Sequence, residues 1–157
     1  MAVEISLIRL RELALTVPRS DCKWEEQPQF APPATPQSIV KIESLAGFVL
    51  PNEFRTFLEQ TNAVIGMSIH NGYWIGDVER LASDSFPRVI HNESVLPIAT
   101  DGGGNAFLLS CNGYIWQWNH ETGNVVQVAT SFNAFLEQVV ADWEAYLADT
   151  PDWDFLM

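Results

Sequence analysis

No lysine or arginine follows Arg88. Residues 89–157 hold nine acidic side chains and a net charge of −9. Residues 1–88 hold all eight basic residues beside 11 acidic ones, a net of −3. A second half built this way repels phosphate backbones and anionic lipid, so nucleic acid and membrane surfaces are excluded as partners. It attracts a basic protein and speeds their encounter. Acidic balance also serves solubility with no partner at all.

Cysteine is scarce. Cys22 and Cys111 are the only two, too few for a secreted scaffold held by disulfides. No run of about 18 uninterrupted apolar residues exists, so no spanning helix is expected. The opening "MAVEISLIRLRELALTV" is broken by Glu4, Arg9, Arg11 and Glu12 and does not read as a signal peptide. The expectation is a reduced, cytoplasmic protein. There is no CxxC, no HxxxH and no internal repeat. His120 and Glu121 are adjacent, which points them apart on a strand, so neither a metal nor a cofactor is expected. No Cys-His pair is marked for nucleophilic chemistry. Cys111, beside Asn112-Gly113, reads as an ordinary small thiol. His70 and His91 fall in turns. No catalytic residue is assigned.

What is present is a core. The chain has 157 residues, 47% of them apolar. One domain of this size buries roughly 70% of its unfolded surface. Val3, Leu7, Leu10, Ala14 and Val17 recur at helical spacing, although Val3-Ile5-Leu7 also suits a short strand. Pro18 closes the segment. Residues 18–36 carry five prolines and no period. This connector is long for a loop, so part of it is expected to pack or to cap a sheet edge. Thr35 and Pro36 open a helix that buries Ile39, Ile42 and Leu45 or Ala46. Gly47 closes it. Pro51 opens a second, with Phe54, Phe57 and Leu58 inward and Asn62 at its end.

From residue 67 the period changes. Asn71-Gly72 between apolar flanks signals a hairpin, and Asp77 is placed to cap a helical turn. "SVLPIA", "NAFLLSC", "GYIWQWN" and "NVVQVA" read as strands joined by short glycine-bearing turns, an antiparallel meander. Thr130 or Ser131 then caps a long helix lined by Phe135, Leu136, Val139, Trp143, Tyr146 and Leu147. The architecture is α+β: N-terminal helices, a central antiparallel meander sheet and a long C-terminal helix. Residues 1–33 form an N-terminal helix and proline-rich connector, and residues 34–157 the α+β domain.

"DGGGNAF" (101–107) invites a phosphate-loop reading. That reading needs a Lys after the glycines, or a helix N-terminus. Beyond Gly102, Gly103 and Gly104 the chain runs instead into a strand without a cation. The glycines fit a tight connection, braced by Asp101 and Asn105. Glu137, Asp142, Glu144, Asp149, Asp152 and Asp154 read as a charged outer face rather than an acid–base pair. Tyr114, Trp116 and Trp118 share a strand face, with Trp118 expected in the core and Tyr114 or Trp116 at a rim. Base stacking would call for a basic groove, which is missing.

Four segments resemble the SUKH superfamily, the Smi/Knr-type domain. "ATPQSIVKIESLAGFVLPNEFRTFLEQTNA" is similar to its opening helix pair, and "LPIATDGGGNAFLLS" to its glycine-rich strand connection. "GYIWQWNHETG" resembles its Trp-x-His-Glu strand end, and "SFNAFLEQV" its last helix start. The chain has Asn62-Ala63 where the family often has Asn-Gly, and Asn119 where it often has Asp. The resemblance assigns structural motif roles to Leu50, Pro51, Phe54, Phe57, Leu58, Asn62, Asp101, Gly102, Gly103, Gly104, Trp118, His120, Glu121, Ser131, Phe132, Phe135 and Leu136. It implies a non-enzymatic protein-binding domain. In bacteria that is an immunity protein that binds and neutralises a toxin domain, often a nuclease. The eukaryotic relatives imply the alternative, a cytoplasmic scaffold or regulatory module. Predicted strand edges and loops nominate Tyr73, Trp74, Asp77, Trp116, Asn119, His120 and Glu121 as contacts for a protein partner, a cognate toxin that is basic.

Overall fold

The computed structural model describes residues 2–16, 28–67 and 72–156. Helix α1 (Val3–Thr16) buries Val3, Leu7, Leu10, Leu13 and Ala14, which decides for helix over a short strand at this end. Val17 and most of the proline-rich connector lie outside the described residues. The end of that connector supplies strand β1 (Gln29–Phe30), which pairs with β2 (Ala63–Met67) and covers one edge of the sheet.

Helix α2 (Pro36–Ala46) starts where Thr35 accepts from the Ser38 N–H, and ends at Gly47 in the left-handed region. Helix α3 (Asn52–Gln60) follows Pro51 and buries Phe54, Phe57 and Leu58. Its C-terminal cap is Thr61, one residue before the expected Asn62. Strand β3 (Tyr73–Gly76) pairs antiparallel with β2. Gly72 is the described part of the expected hairpin turn; His70 and Asn71 lie outside the described residues. A short helix α4 (Val78–Leu81) and strand β4 (Val89–Ile90) lead into the long β5 (Glu93–Asp101). Strands β6 (Ala106–Ser110), β7 (Ile115–Trp118) and β8 (Val125–Ala129) complete the meander. The sheet order is β1-β2-β3-β5-β6-β7-β8, antiparallel throughout, with β4 beside the start of β5. Ser131 rather than Thr130 caps helix α5 (Phe132–Leu147), accepting from the Ala134 N–H.

Proline is normally kept out of central strands, because it has no N–H for the ladder. Pro97 sits in the middle of β5. On one side β4 pairs with residues 93–94 and β3 with residues 99–101. Pro97 falls between them, and the register with β6 shifts at the same place. The missing donor therefore lands in a gap of the ladder.

Phe107 and Leu109 of β6 join the main core, whereas Ala106 and Leu108 alternate to the other sheet face. The main core is aromatic at its centre. Phe54 and Phe57 of α3 lie 5.0 and 5.2 Å from Phe132 of α5, both edge-on, and Phe135 lies 5.3 Å from Phe107. Helix α1 closes over α3 and α5. On the opposite face Ile90, Val95, Ala106 and Leu108 form a smaller cluster, packed by Phe86, Trp116, Trp118 and Val125. Trp118, expected in the core, is half-buried on this second face. The reason is parity: Ile115 takes the core side, so Trp116 and Trp118 take the other.

Asp142 requires a larger correction. Its sequence context groups it with the charged outer face of α5, yet it is fully buried. Its Oδ2 accepts from the Tyr73 hydroxyl at 2.5 Å and the Leu156 N–H at 3.0 Å. Its Oδ1 accepts from Gln138 Nε2 and Trp153 Nε1, both at 2.9 Å. The carboxylate thus joins β3, α5 and the C-terminal tail. Burial of a charge at this density of donors is tolerable, since each carboxylate oxygen receives two of them.

Two stability outcomes are expected. Phe135→Ala should lower unfolding free energy by about 3 to 5 kcal/mol in urea titration. Asp142→Ala should cost about 3 kcal/mol or more, because it leaves several buried donors unmet, and should shift Trp153 fluorescence to the red as the tail comes loose. Unchanged emission would mean that the tail is held by something else.

Candidate protein-binding surface

Two groups of the expected contact residues come together, and one residue leaves the set. On β3, Tyr73 and Ile75 point into the main core, so Trp74 between them points to the second face. Register carries a row across four strands: Trp74 opposite Thr100, Thr100 opposite Ala106, Ala106 opposite Trp118. Trp116 lies one step along, opposite Leu108. Trp74 is 46% exposed, and Trp116 and Trp118 are half-buried. Tyr73 is 3% exposed and spends its hydroxyl on Asp142. It is therefore not a contact residue on this surface. The alternation of the strand puts neighbours Tyr73 and Trp74 on opposite faces.

The aromatics are held by neighbours that the sequence did not single out. Phe86 meets Trp118 edge-on at 6.0 Å, and the His91 ring lies 5.3 Å from that of Trp116. The Arg80 guanidinium lies 5.7 Å from the centre of the Trp74 ring, and its Nε donates to Asp77 Oδ2 at 2.7 Å. The Asp77-Arg80 spacing of three was the available signal for that pair. Asp77 stands at the N-cap position of α4, as expected, but in the left-handed region and with no side-chain cap bond; it opens the turn through its carbonyl, which accepts from the Arg80 and Leu81 N–H groups, and through its ion pair.

The second group sits at one end of the sheet, where two strand connections touch. Asp101 Oδ1 accepts from the N–H groups of Gly103 and Asn105 at 2.8 and 2.9 Å, and its Oδ2 accepts from Asn105 Nδ2 at 3.0 Å. Asn105 Oδ1 accepts from the His120 N–H at 3.1 Å and lies 2.9 Å from His120 Nδ1. An amide oxygen only accepts, so the ring proton belongs on Nδ1. Asn119 Oδ1 accepts from the N–H groups of Glu121 and Thr122. Gly104, at φ +93, lies against the His120 ring; a Cβ there would come within 3.4 Å of it. The triple glycine is thus a turn fitted to a histidine. His120 and Glu121 are exposed beside it, while Asn119 is half-buried.

The remaining motif residues are packing residues. Leu50 is 2% exposed, Phe54, Phe57, Leu58, Phe135 and Leu136 are fully buried, and Phe132 is 1% exposed. Glu53 of α3 accepts from the Asn133 N–H at 2.9 Å, placing an anion at the N-terminus of α5. Among the described residues no group of three His, Cys, Asp or Glu is placed to hold a metal ion, and no helix is long and apolar enough to cross a membrane.

The model of the SMI1 / KNR4 family (SUKH-1) matches residues 33–138. The chain belongs to that family. The match covers the helix pair, the sheet from β2 to β8 and the first turns of α5. It leaves out α1, the end of α5 and the Asp142-bound tail. No curated protein matches the chain. SUKH domains are associated with protein–protein interaction; of the aromatic row Trp74 is exposed, and so are His120 and Glu121 at the other corner.

Asp101→Ala should remove three hydrogen bonds from the glycine turn and lower stability by about 1 to 3 kcal/mol. Amide exchange should accelerate at both 102–105 and 119–123, because Asn105 links them. Acceleration at 102–105 alone would show that the two connections are independent.

Proposed function

We propose that this SUKH domain is a cytoplasmic immunity protein that binds and neutralises a toxin domain, and that the toxin is a basic nuclease. One observation carries the reading: the 69 residues after Arg88 contain nine acids and no Lys or Arg. A nuclease must hold a polyanion, so its working surface is basic. An acidic inhibitor is steered onto that surface and covers it. Trp74 supplies an aromatic anchor in the exposed part of the second face, and such residues carry a large share of binding energy. His120 and Glu121 extend the polar rim. The role is occlusion, so no catalytic residue is required of this chain.

The chain as bait in an extract of its source cell should capture one basic, toxin-like protein, identified by mass spectrometry. The association rate should fall as salt rises. Trp74→Ala should weaken the complex by about 2 kcal/mol or more. Capture of a regulatory enzyme or envelope protein would favour the scaffold alternative, and a rate indifferent to salt would remove the steering argument.

A further inference from the structure

We infer that the free edge of β8 receives an extended strand of the partner protein, and that this strand carries lysine or arginine on the side facing the C-terminal tail. The inference deepens the proposal that the partner is a basic protein, and rests on it. Strand β8 closes the sheet order, with β7 as its one neighbour among the described residues. The register sets which of its backbone groups are spent. The Asn124 carbonyl accepts from the Asn119 N–H at 2.9 Å, and Val126 stands opposite Gln117. Backbone groups alternate sides along an antiparallel strand, so Val125 and Gln127 turn their N–H and C=O groups outward. Neither makes a bond on that side to another described residue. The register shift against β7 lies beyond Gln127, which leaves residues 124–127 as regular strand.

The opposite edge of the sheet is closed. Strand β1 has two residues, between Pro28 and Pro32-Pro33. The Ala31 N–H donates to the Ala63 carbonyl at 2.9 Å, and the Asn62 N–H to the Pro32 carbonyl at 2.8 Å. Gly76 lets the neighbouring β3–α4 corner close on the same stretch: a Cβ there would lie 2.3 Å from the Asn62 carbonyl oxygen. Shortness, proline and charge are common ways of protecting an edge. Strand β8, "VVQVA", has five residues, no proline and no charge. Val126 is 60% exposed on it. An edge of this kind binds by taking up a strand of another chain through main-chain hydrogen bonds.

The surroundings select the occupant. A strand added to β8 directs every second side chain to the core side of the sheet, the side of Val126 and Val128. There the tail leaves a groove of about 350 Å³, lined by Gln117, Val128, Gln138 and Asp154 among others. Asp154 is held in place from both sides, because Asp142 accepts from Trp153 Nε1 and from the Leu156 N–H. It is exposed and belongs to none of the described ion pairs, and the same is true of Glu121 at the β7–β8 turn. No Lys or Arg follows Arg88, so β7, β8, α5 and the tail supply no countercharge. A second copy would bring another set of unpaired acids to this edge, with a net charge of −12 on each chain, and is repelled. An acidic strand is repelled for the same reason. A basic strand gains the main-chain bonds and the attraction of Asp154 and Glu121 together.

The test uses the full-length chain labelled with nitrogen-15 and the peptide acetyl-Thr-Lys-Val-Lys-Val-Lys-Thr-amide. Its lysines share the face of Val126, which sets its valines opposite Val125 and Gln127. Saturable shifts are expected at the amides of Val125, Gln127 and Asp154. Methylating the two valine nitrogens keeps every charge and removes the donors that face β8; binding should weaken by about tenfold or more. Methylating the lysine nitrogens, on the far side, should leave binding in place. Asp154→Asn should weaken it by about threefold. Gln127→Pro removes an outward N–H without taking a bond from the β7 ladder, and should abolish it. No saturable shift at Val125 and Gln127 overturns the inference. So does an equal response to the valine-methylated peptide, or to one with glutamate in place of lysine. A dimer of the free chain that Gln127→Pro breaks up also overturns it, since the edge then belongs to a second copy. A basic partner that binds wild type and Gln127→Pro equally overturns it and leaves the immunity reading standing. Peptide binding that needs the valine N–H groups, with no basic partner in the source cell, supports the pairing at β8 and sinks the immunity reading.

Discussion

The fold depends on a buried carboxylate. Asp142 stands inside α5, where a charge would ordinarily be expelled to solvent. It stays because four donors converge on it from β3, from its own helix and from the tail. Those donors in turn need an acceptor where water is scarce. The arrangement is mutual, so losing one member strands the others. It also sets directions: once the Tyr73 hydroxyl is turned toward α5, Trp74 has to face away. The interior bond therefore determines which aromatic is presented at the surface.

The aromatic interior plays a complementary part. Phe132 and Phe135 tie α5 to α3 and to β6, holding helices and sheet in one layer pair. With that side filled, the alternation of β6 and β7 leaves a second, thinner cluster on the reverse face. It is covered by a few aromatic side chains instead of a helix pair. A domain with one deep core and one shallow one has a face where large side chains are half-exposed by construction.

Much of this was legible from residue order. Thr35, Pro36 and Gly47 mark α2, and Thr130-Ser131 mark the start of α5 to within one residue, because capping is local chemistry written in a few adjacent positions. The meander followed from the short glycine turns, and the brace at Asp101 from a side chain able to reach its own backbone. What stayed hidden depends on distance along the chain. Asp142 looks like any helix-surface acid until Tyr73, 69 residues away, is placed beside it. Trp118 looks like core because strand parity gives two faces but does not say which is deeper. Strand β1 gave no periodic signal, since two residues have no period. The four quoted segments made the family readable, while the proposal of a basic partner came from charge asymmetry and not from any motif.

Gly76 also bears on how such a domain can diverge. Any side chain at that position would collide with backbone at Asn62 and Ala63, so the corner where β3 leads into α4 admits one residue and keeps its outline. Asp77, Glu79 and Ser38 project around that frame and belong to neither hydrophobic cluster. Exchanging them changes the charge and hydrogen bonding at the corner without opening the core. The chemistry of this corner can thus change one surface residue at a time on an unchanged support.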